Sequence, residues 1–316
     1  MLAPNNSFTG NIPHNNFSGS IPRCLITSAV EGLNLRNNNL IGRLPNIFDK
    51  TGSLAILDVS HNQITGKLPR SLRNCTNLEI VNVEGNTITD TFPFWLTDLP
   101  NLEVMVLRSN MFHGPIYSLQ HPLSFPQLRI IDISHNRFTG SLPQNYFVNW
   151  STLLISIPPE EGDMYVGYGF TYSYYPSMFL RNKGITMELE KILKTYTAID
   201  FSENKLEGQI PESVGLLKSL IVLNLSNNDF TGHISSSWAN LTRLESLGFM
   251  SVLSGKCSHS LDVRITFIYD MKKRNHSNMV SVIVTPVTSN LGNSGPPTIS
   301  RIIKAHIPNY THPKSK

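Results

Sequence analysis

Apolar residues recur along this chain with two periods at once. Over short stretches they alternate. Leu57 and Val59, Val81 and Val83, Met105 and Leu107, Ile131 and Ile133, Ile199 and Phe201, and Leu223 and Leu225 each lie two apart. That spacing puts both side chains on one face of a short strand. The stretches themselves return about every 24 residues, each with an Asn three positions after its second apolar residue. These anchors fall at Asn6, Asn15, Asn38, Asn62, Asn86, Asn110, Asn136, Asn204 and Asn228, in steps of 9, 23, 24, 24, 24, 26, 68 and 24. One such unit cannot bury its apolar pair alone. Stacked units can, so the pattern predicts a solenoid with a parallel sheet on one face.

The other fixed letters serve the same construction. Each anchor Asn is expected where the strand turns inward, its amide satisfying backbone groups of adjacent turns. Four positions on stands Gly (Gly42, Gly66, Gly114, Gly140, Gly208, Gly232), which suits a tight turn. Six positions on is always apolar, and seven on is usually Pro (Pro45, Pro69, Pro93, Pro143, Pro211), a residue that gives no ladder hydrogen bond. Asp90 departs from the Gly position, and Tyr117 and Ser235 from the Pro position.

The full pattern, L-x-L-x-x-N-x-L-x-G-x-I-P, resembles the plant-type leucine-rich repeat. The stretches from Asp90 to Ile116, Gly140 to Trp150 and Ile199 to Ile234 look like parts of plant receptor-like proteins, and the likeness covers roughly residues 1–247. It implies an α/β fold: a right-handed leucine-rich-repeat solenoid, or horseshoe, with its parallel β-sheet on the concave face. It also implies a cell-surface receptor without a kinase, held at the plasma membrane by one span and facing outward. Such receptors signal with partner receptor kinases in defence or development.

The 68-residue step contains 44 residues beyond one repeat, which marks an insertion. The expected organisation is repeats over 1–153, an island over 154–184, repeats over 185–249 and a non-repeat tail over 250–316. The island carries Tyr174, then eight residues, then Lys183-Gly184. The resemblance gives that spacing a role in ligand or co-receptor contact; a Tyr that simply holds the island to the solenoid is the alternative. No basic-then-apolar leader or N-terminal cysteine cap is seen, and the repeat fades after Leu247, so truncation at both ends is expected.

Composition narrows the function further. The formal net charge is +4, but the segment from Met250 carries +7 and the first 249 residues −3, which gives no basic face for nucleic acid on the body. Cys24, Cys75 and Cys257 are too few and too scattered for a disulfide framework or a metal site. No stretch approaches the roughly 18–20 apolar residues of a membrane span. The tail is expected to be largely disordered, with Val263 to Tyr269 and Val280 to Val287 as candidate strands.

Candidate chemistry sits at the variable strand positions. Glu79, Glu103 and Arg129 share one phase, and Glu84 and Arg108 another, so both sets are expected on the concave face, as a charged strip for a peptide or microbial protein ligand or as a solvated face of weak ion pairs. His61 and His135 are three repeats apart, roughly 15 Å, too far to share a metal. No catalytic constellation is found, and no cofactor is expected. Sequons occur at Asn5, Asn16, Asn74, Asn149, Asn224, Asn240, Asn275 and Asn309; Asn74, Asn149 and Asn240 suit glycans, whereas Asn224 lies in a strand. The leading expectation is a non-catalytic recognition ectodomain. A secreted inhibitor of microbial polygalacturonase and an inert or decoy fragment are the rivals.

Overall fold

The computed structural model describes residues 16–27, 30–48, 53–118, 125–154, 164–167, 177–182, 185–232 and 235–248, together with strands at 263–268, 278–286 and 302–307. The repeat body is a right-handed leucine-rich-repeat solenoid. Its concave face is one parallel sheet of eight three-residue strands: β1 (Gly32–Asn34), β2 (Ile56–Asp58), β3 (Ile80–Asn82), β4 (Val104–Val106), β5 (Ile130–Asp132), β6 (Ala198–Asp200), β7 (Val222–Asn224) and β8 (Ser246–Gly248). They pair strictly in order, so the insertion between β5 and β6 leaves the register intact: Ile130 lies opposite Ala198 and Asp132 opposite Asp200.

Two further parallel sheets of four short strands follow the anchor positions along the solenoid, joined by a bridge between Thr91 and His113. The rest of each turn is mostly irregular. Among the described residues, helix is limited to 3-10 turns such as Arg70–Asn74 and Glu212–Leu216 and two short α-helices, Arg23–Thr27 and Ser151–Leu154. Leu57, Val81, Met105, Ile131, Ile199 and Leu223 are buried in one continuous core, as the two-residue alternation requires.

The anchor Asn residues close the turns. In Asn62, Nδ2 donates to the carbonyls of Val59 and Ser60 in its own turn and of Leu35 in the turn before, while Oδ1 accepts from the amide of Leu40. Asn86, Asn110, Asn136, Asn204 and Asn228 repeat the arrangement. Asn204 reaches across the insertion to Ile133 and Phe138. These bonds pair carbonyls that the inward turn would leave buried and unsatisfied.

The departures from the pattern have local causes. Asp90, at the Gly position, is absent from the left-handed residues; its two carboxylate oxygens accept from the amides of Leu68 and Thr91. Ser235, at the Pro position, caps the turn Ser236–Asn240 by accepting from the amide of Ser237. The pattern does not reveal a second left-handed position, the residue just before the anchor, with φ of 53° at His61 and 51° at His135.

Gly215 marks a close approach to the backbone of the adjacent turn. A Cβ there would overlap the carbonyl oxygen of Ser237, which is backbone and cannot swing aside. Gly215→Ala is therefore expected to destabilise the body by about 2 kcal/mol. A lowered denaturant midpoint with an unchanged m-value would show it. In the tail, Val263–Ile268, Asn278–Pro286 and Ile302–Ile307 form a three-stranded antiparallel sheet.

Candidate functional site

In a strand whose alternate residues point into the core, the others face the groove. In-register pairing sets them in rows across the sheet. The first row is Ile56, Ile80, Val104, Ile130, Ala198 and Val222. The second includes Asp58, Asn82, Val106, Asp132, Asp200 and Asn224 in the same register. Two residues further along each turn come Arg36, Ser60, Glu84, Arg108, Ser134 and Ser202.

An open groove would leave the first row in water. Instead it is buried, in one apolar cluster with Val166, Met178, Leu180 and Ile192. Those four belong to the insertion and the stretch that follows it. Between the turn that β5 begins and β6, the strands Met178–Asn182 and Ile185–Leu189 pair antiparallel, and Val166, Met178, Leu180 and Ile192 pack on the concave wall. Burying these side chains contributes about 1.5–3 kcal/mol each in the area-transfer picture.

Polar clasps hold the island at three places. At its foot, Arg129 Nε donates to Glu103 Oε2 at 2.7 Å, Lys194 Nζ lies 3.6 Å from Glu103 Oε1, and an Arg129 Nη1 proton goes to the Lys194 carbonyl. The amide of Gly167 donates to Glu79 Oε2 at 3.1 Å. At the far end, Arg36 Nη1 donates to Ser177 Oγ at 2.7 Å, lies 3.6 Å from Glu188 through Nη2, and stacks its guanidinium over the Phe179 ring.

The two charged sets expected from the sequence therefore have different surroundings. Glu79, Glu103 and Arg129 are drawn together and engaged by the island, so the strip is not open over them; the reason is that an uncovered apolar first row would be costly. Glu84 and Arg108 stand in the third row, 3.7 Å apart, with His61 3.8 Å from Glu84. Tyr174, Lys183 and Gly184 lie outside the described residues. The repeat pattern does not single out Arg36, Lys194 or Glu188. Arg36 shares the phase of Glu84 and Arg108, and that phase is the one signal in the sequence that points to it.

Burial dominates the electrostatics of the groove. It pushes the carboxyls of Asp58 and Glu84 above the usual range, with Arg108 and Arg36 opposing it at Glu84. Burial also raises Asp200, and it raises Asp132, aided by the neighbouring charge of Asp200, to about 8. Of the sequons, Asn149 and Asn240 are exposed and Asn74 is half-buried. Asn224 is buried, and its Nδ2 donates to Asp200 and Ser202, which leaves no room for a glycan.

Comparison with known proteins agrees with this architecture. A Leucine Rich Repeat family model matches residues 29–51, 53–75, 127–147 and 219–241, and a second Leucine Rich repeat model matches 74–91. Receptor-like protein 54 of Arabidopsis thaliana is 58% identical over 227 residues, which cover 69% of this chain and 27% of that protein. Receptor-like protein 32 of the same plant is 52% identical over 242 residues, covering 70% and 27%. This chain belongs to the family of plant leucine-rich-repeat receptor-like proteins.

It spans about a quarter of the length of these receptor-like proteins. Among solved structures, the ectodomain of the Arabidopsis receptor kinase HAESA, in complex with the peptide hormone IDA and the co-receptor SERK1, is 25% identical. It matches with a TM-score of 0.55 over 74% of this chain and 31% of that one. Among the described residues of this receptor-like protein, no helix is long and apolar enough to cross a membrane, and no group of three or more His, Cys, Asp or Glu is placed to hold a metal.

Proposed function

We propose that the chain is a non-catalytic recognition segment of a cell-surface receptor-like protein, acting with a partner receptor kinase in defence or development at the outer face of the plasma membrane. The island seated on the concave wall carries this reading. It turns the inner side of the solenoid into a composite surface of strand residues and inserted chain. The HAESA ectodomain, similar in fold, is seen with a peptide and a co-receptor kinase.

Glu84 and Arg108 are the groove residues proposed to meet a peptide or microbial protein ligand, because the described clasps do not use them. Glu79, Glu103 and Arg129 contribute by fixing the island against the wall. Tyr174, Lys183 and Gly184 are proposed for co-receptor contact, and Asn74, Asn149 and Asn240 for glycans on the outer side.

The test is binding of the secreted chain to the ectodomain of a SERK-type co-receptor, measured by surface plasmon resonance with and without candidate peptides. Tyr174→Ala and Lys183→Glu are expected to weaken co-receptor binding at least tenfold while the melting transition stays in place. No binding by the wild-type chain to any co-receptor or peptide offered, or equal binding by these variants, would count against the assignment.

A further inference from the structure

On the outer side of the solenoid, Val148 and Leu216 are exposed large apolar side chains, at 45% and 44%. Each stands twelve residues after an anchor, Asn136 and Asn204, so they hold the same place in neighbouring turns. The turns are locked side by side there: the Phe147 amide donates to Ser213 Oγ and the Glu212 amide to Gln144 Oε1. Phe147 and Leu217 already fill the core side of these turns. Nothing inside the fold therefore requires an apolar residue at Val148 or Leu216.

The same place is held by sequon residues in other turns. Asn74 and Asn240 lie twelve residues after Asn62 and Asn228. The local backbone is shared as well: the Asn74 carbonyl accepts from the Thr76 amide, that of Leu216 from Lys218 and that of Asn240 from Thr242, at 3.1, 2.8 and 2.9 Å. Leu216 and Asn240 each end a 3-10 turn, Glu212–Leu216 and Ser236–Asn240, and Ser237 Oγ donates to the Glu212 carbonyl from one turn to the next. Equivalent positions of stacked turns send their side chains the same way, so Asn240 projects alongside Leu216. At the other end of the strip, Asn149 follows Val148 directly. Both Asn149 and Asn240 are exposed.

We propose that the first sugars of N-linked glycans on Asn149 and Asn240 lie over Val148 and Leu216, so that the chain's own glycans cover this apolar strip. The inference rests on the reading of the chain as a segment of a secreted, glycan-bearing receptor. The chemistry suits the place. An N-acetylglucosamine ring offers axial C–H groups and an acetyl methyl, which take apolar side-chain area out of water while its hydroxyls stay hydrated. The covalent link to Asn removes the cost of bringing a free ligand to the surface. A separate protein partner would instead meet a glycan at each end of the strip.

The experiment uses the full chain, secreted from cells that keep their glycans high-mannose, with occupancy of Asn149 and Asn240 read by peptide mass spectrometry. Endoglycosidase H leaves the first sugar on each Asn and should leave the melting temperature unchanged. Replacing both sites, Asn149→Gln with Asn240→Gln, should lower it by about 2–4 °C. In a chain that already carries Val148→Ser and Leu216→Ser, the same two Gln replacements should lower it by less than half as much, because the surface that the sugars cover is gone. No glycan at Asn149 or at Asn240 in the wild-type chain would overturn the proposal. An equal fall in both backgrounds, or no fall in either, would do the same. Co-receptor binding does not enter this comparison, so this inference and the receptor reading can fail separately.

Discussion

Replacing Asn110 by alanine is expected to destabilise the repeat body by about 3–5 kcal/mol. The side chain makes four bonds. Nδ2 donates to the carbonyls of Val83, Leu107 and Arg108 at 2.9, 3.1 and 3.1 Å, and Oδ1 accepts from the amide of Ile88 at 3.0 Å. Alanine leaves three carbonyls and one amide without partners in the interior, at about 1–3 kcal/mol each before relaxation and water entry reduce the sum. Asn110→Asp keeps the acceptor but cannot donate and adds a buried charge, so it is expected to be no better. Asn101, exposed and bonded once, to the Thr76 carbonyl, provides the control: its alanine variant should stay within about 0.5 kcal/mol of wild type. Denaturant unfolding measures both. A loss below about 1 kcal/mol at Asn110 would mean the amide ladder does not hold the turns together.

The second large effect is at the island foot. Glu103 accepts from Arg129 and lies beside Lys194, and it is itself buried. Removing one partner of a buried ion pair strands the others, at about 3–5 kcal/mol when burial is complete. Arg129 and Lys194 keep side-chain exposures of 18% and 16%, so water recovers part of that loss. Glu103→Ala is expected to cost about 2–3 kcal/mol, concentrated in the docking of the island rather than in the solenoid. Limited proteolysis distinguishes the two: cleavage within 155–190 should accelerate while fragments of the repeat body persist. Equal acceleration everywhere would place Glu103 in the general stability of the fold.

The repeat was legible because its constraints are local and recur. Asn62, Gly66, Leu68 and Pro69 each answer a backbone demand that returns every turn, so their spacing alone set the strand register. The neighbour pairing of Glu103 with Arg129 and of Glu84 with Arg108 followed from the same phase. What the island does was not legible, because it has no period and its partners lie far away in sequence: Arg36 meets Ser177 across 141 residues. One signal of its position does stand in the sequence. Ile56, Ile80, Val104, Ile130 and Val222 are groove-facing by alternation, yet a groove open to water has no use for a row of large aliphatic side chains. That row implies a cover. The left-handed residue before each anchor was hidden for another reason: its occupants (Asn37, His61, Gly85, Ser109, His135, Glu203, Asn227) share a conformation but no single side-chain chemistry.

Methionine oxidation by dilute hydrogen peroxide tests the closed groove with probes the chain already carries. Met178, on the inner side of the island hairpin, is 3% exposed and Met105 is 0% exposed in the solenoid core, whereas Met164 on the island and Met187 on the second hairpin strand are 51% and 42% exposed. Peptide mapping after graded exposure should find Met164 and Met187 oxidised early and Met178 protected alongside Met105. If Met178 oxidises as fast as Met187 while Met105 stays protected, the solenoid is intact but the island does not close its groove.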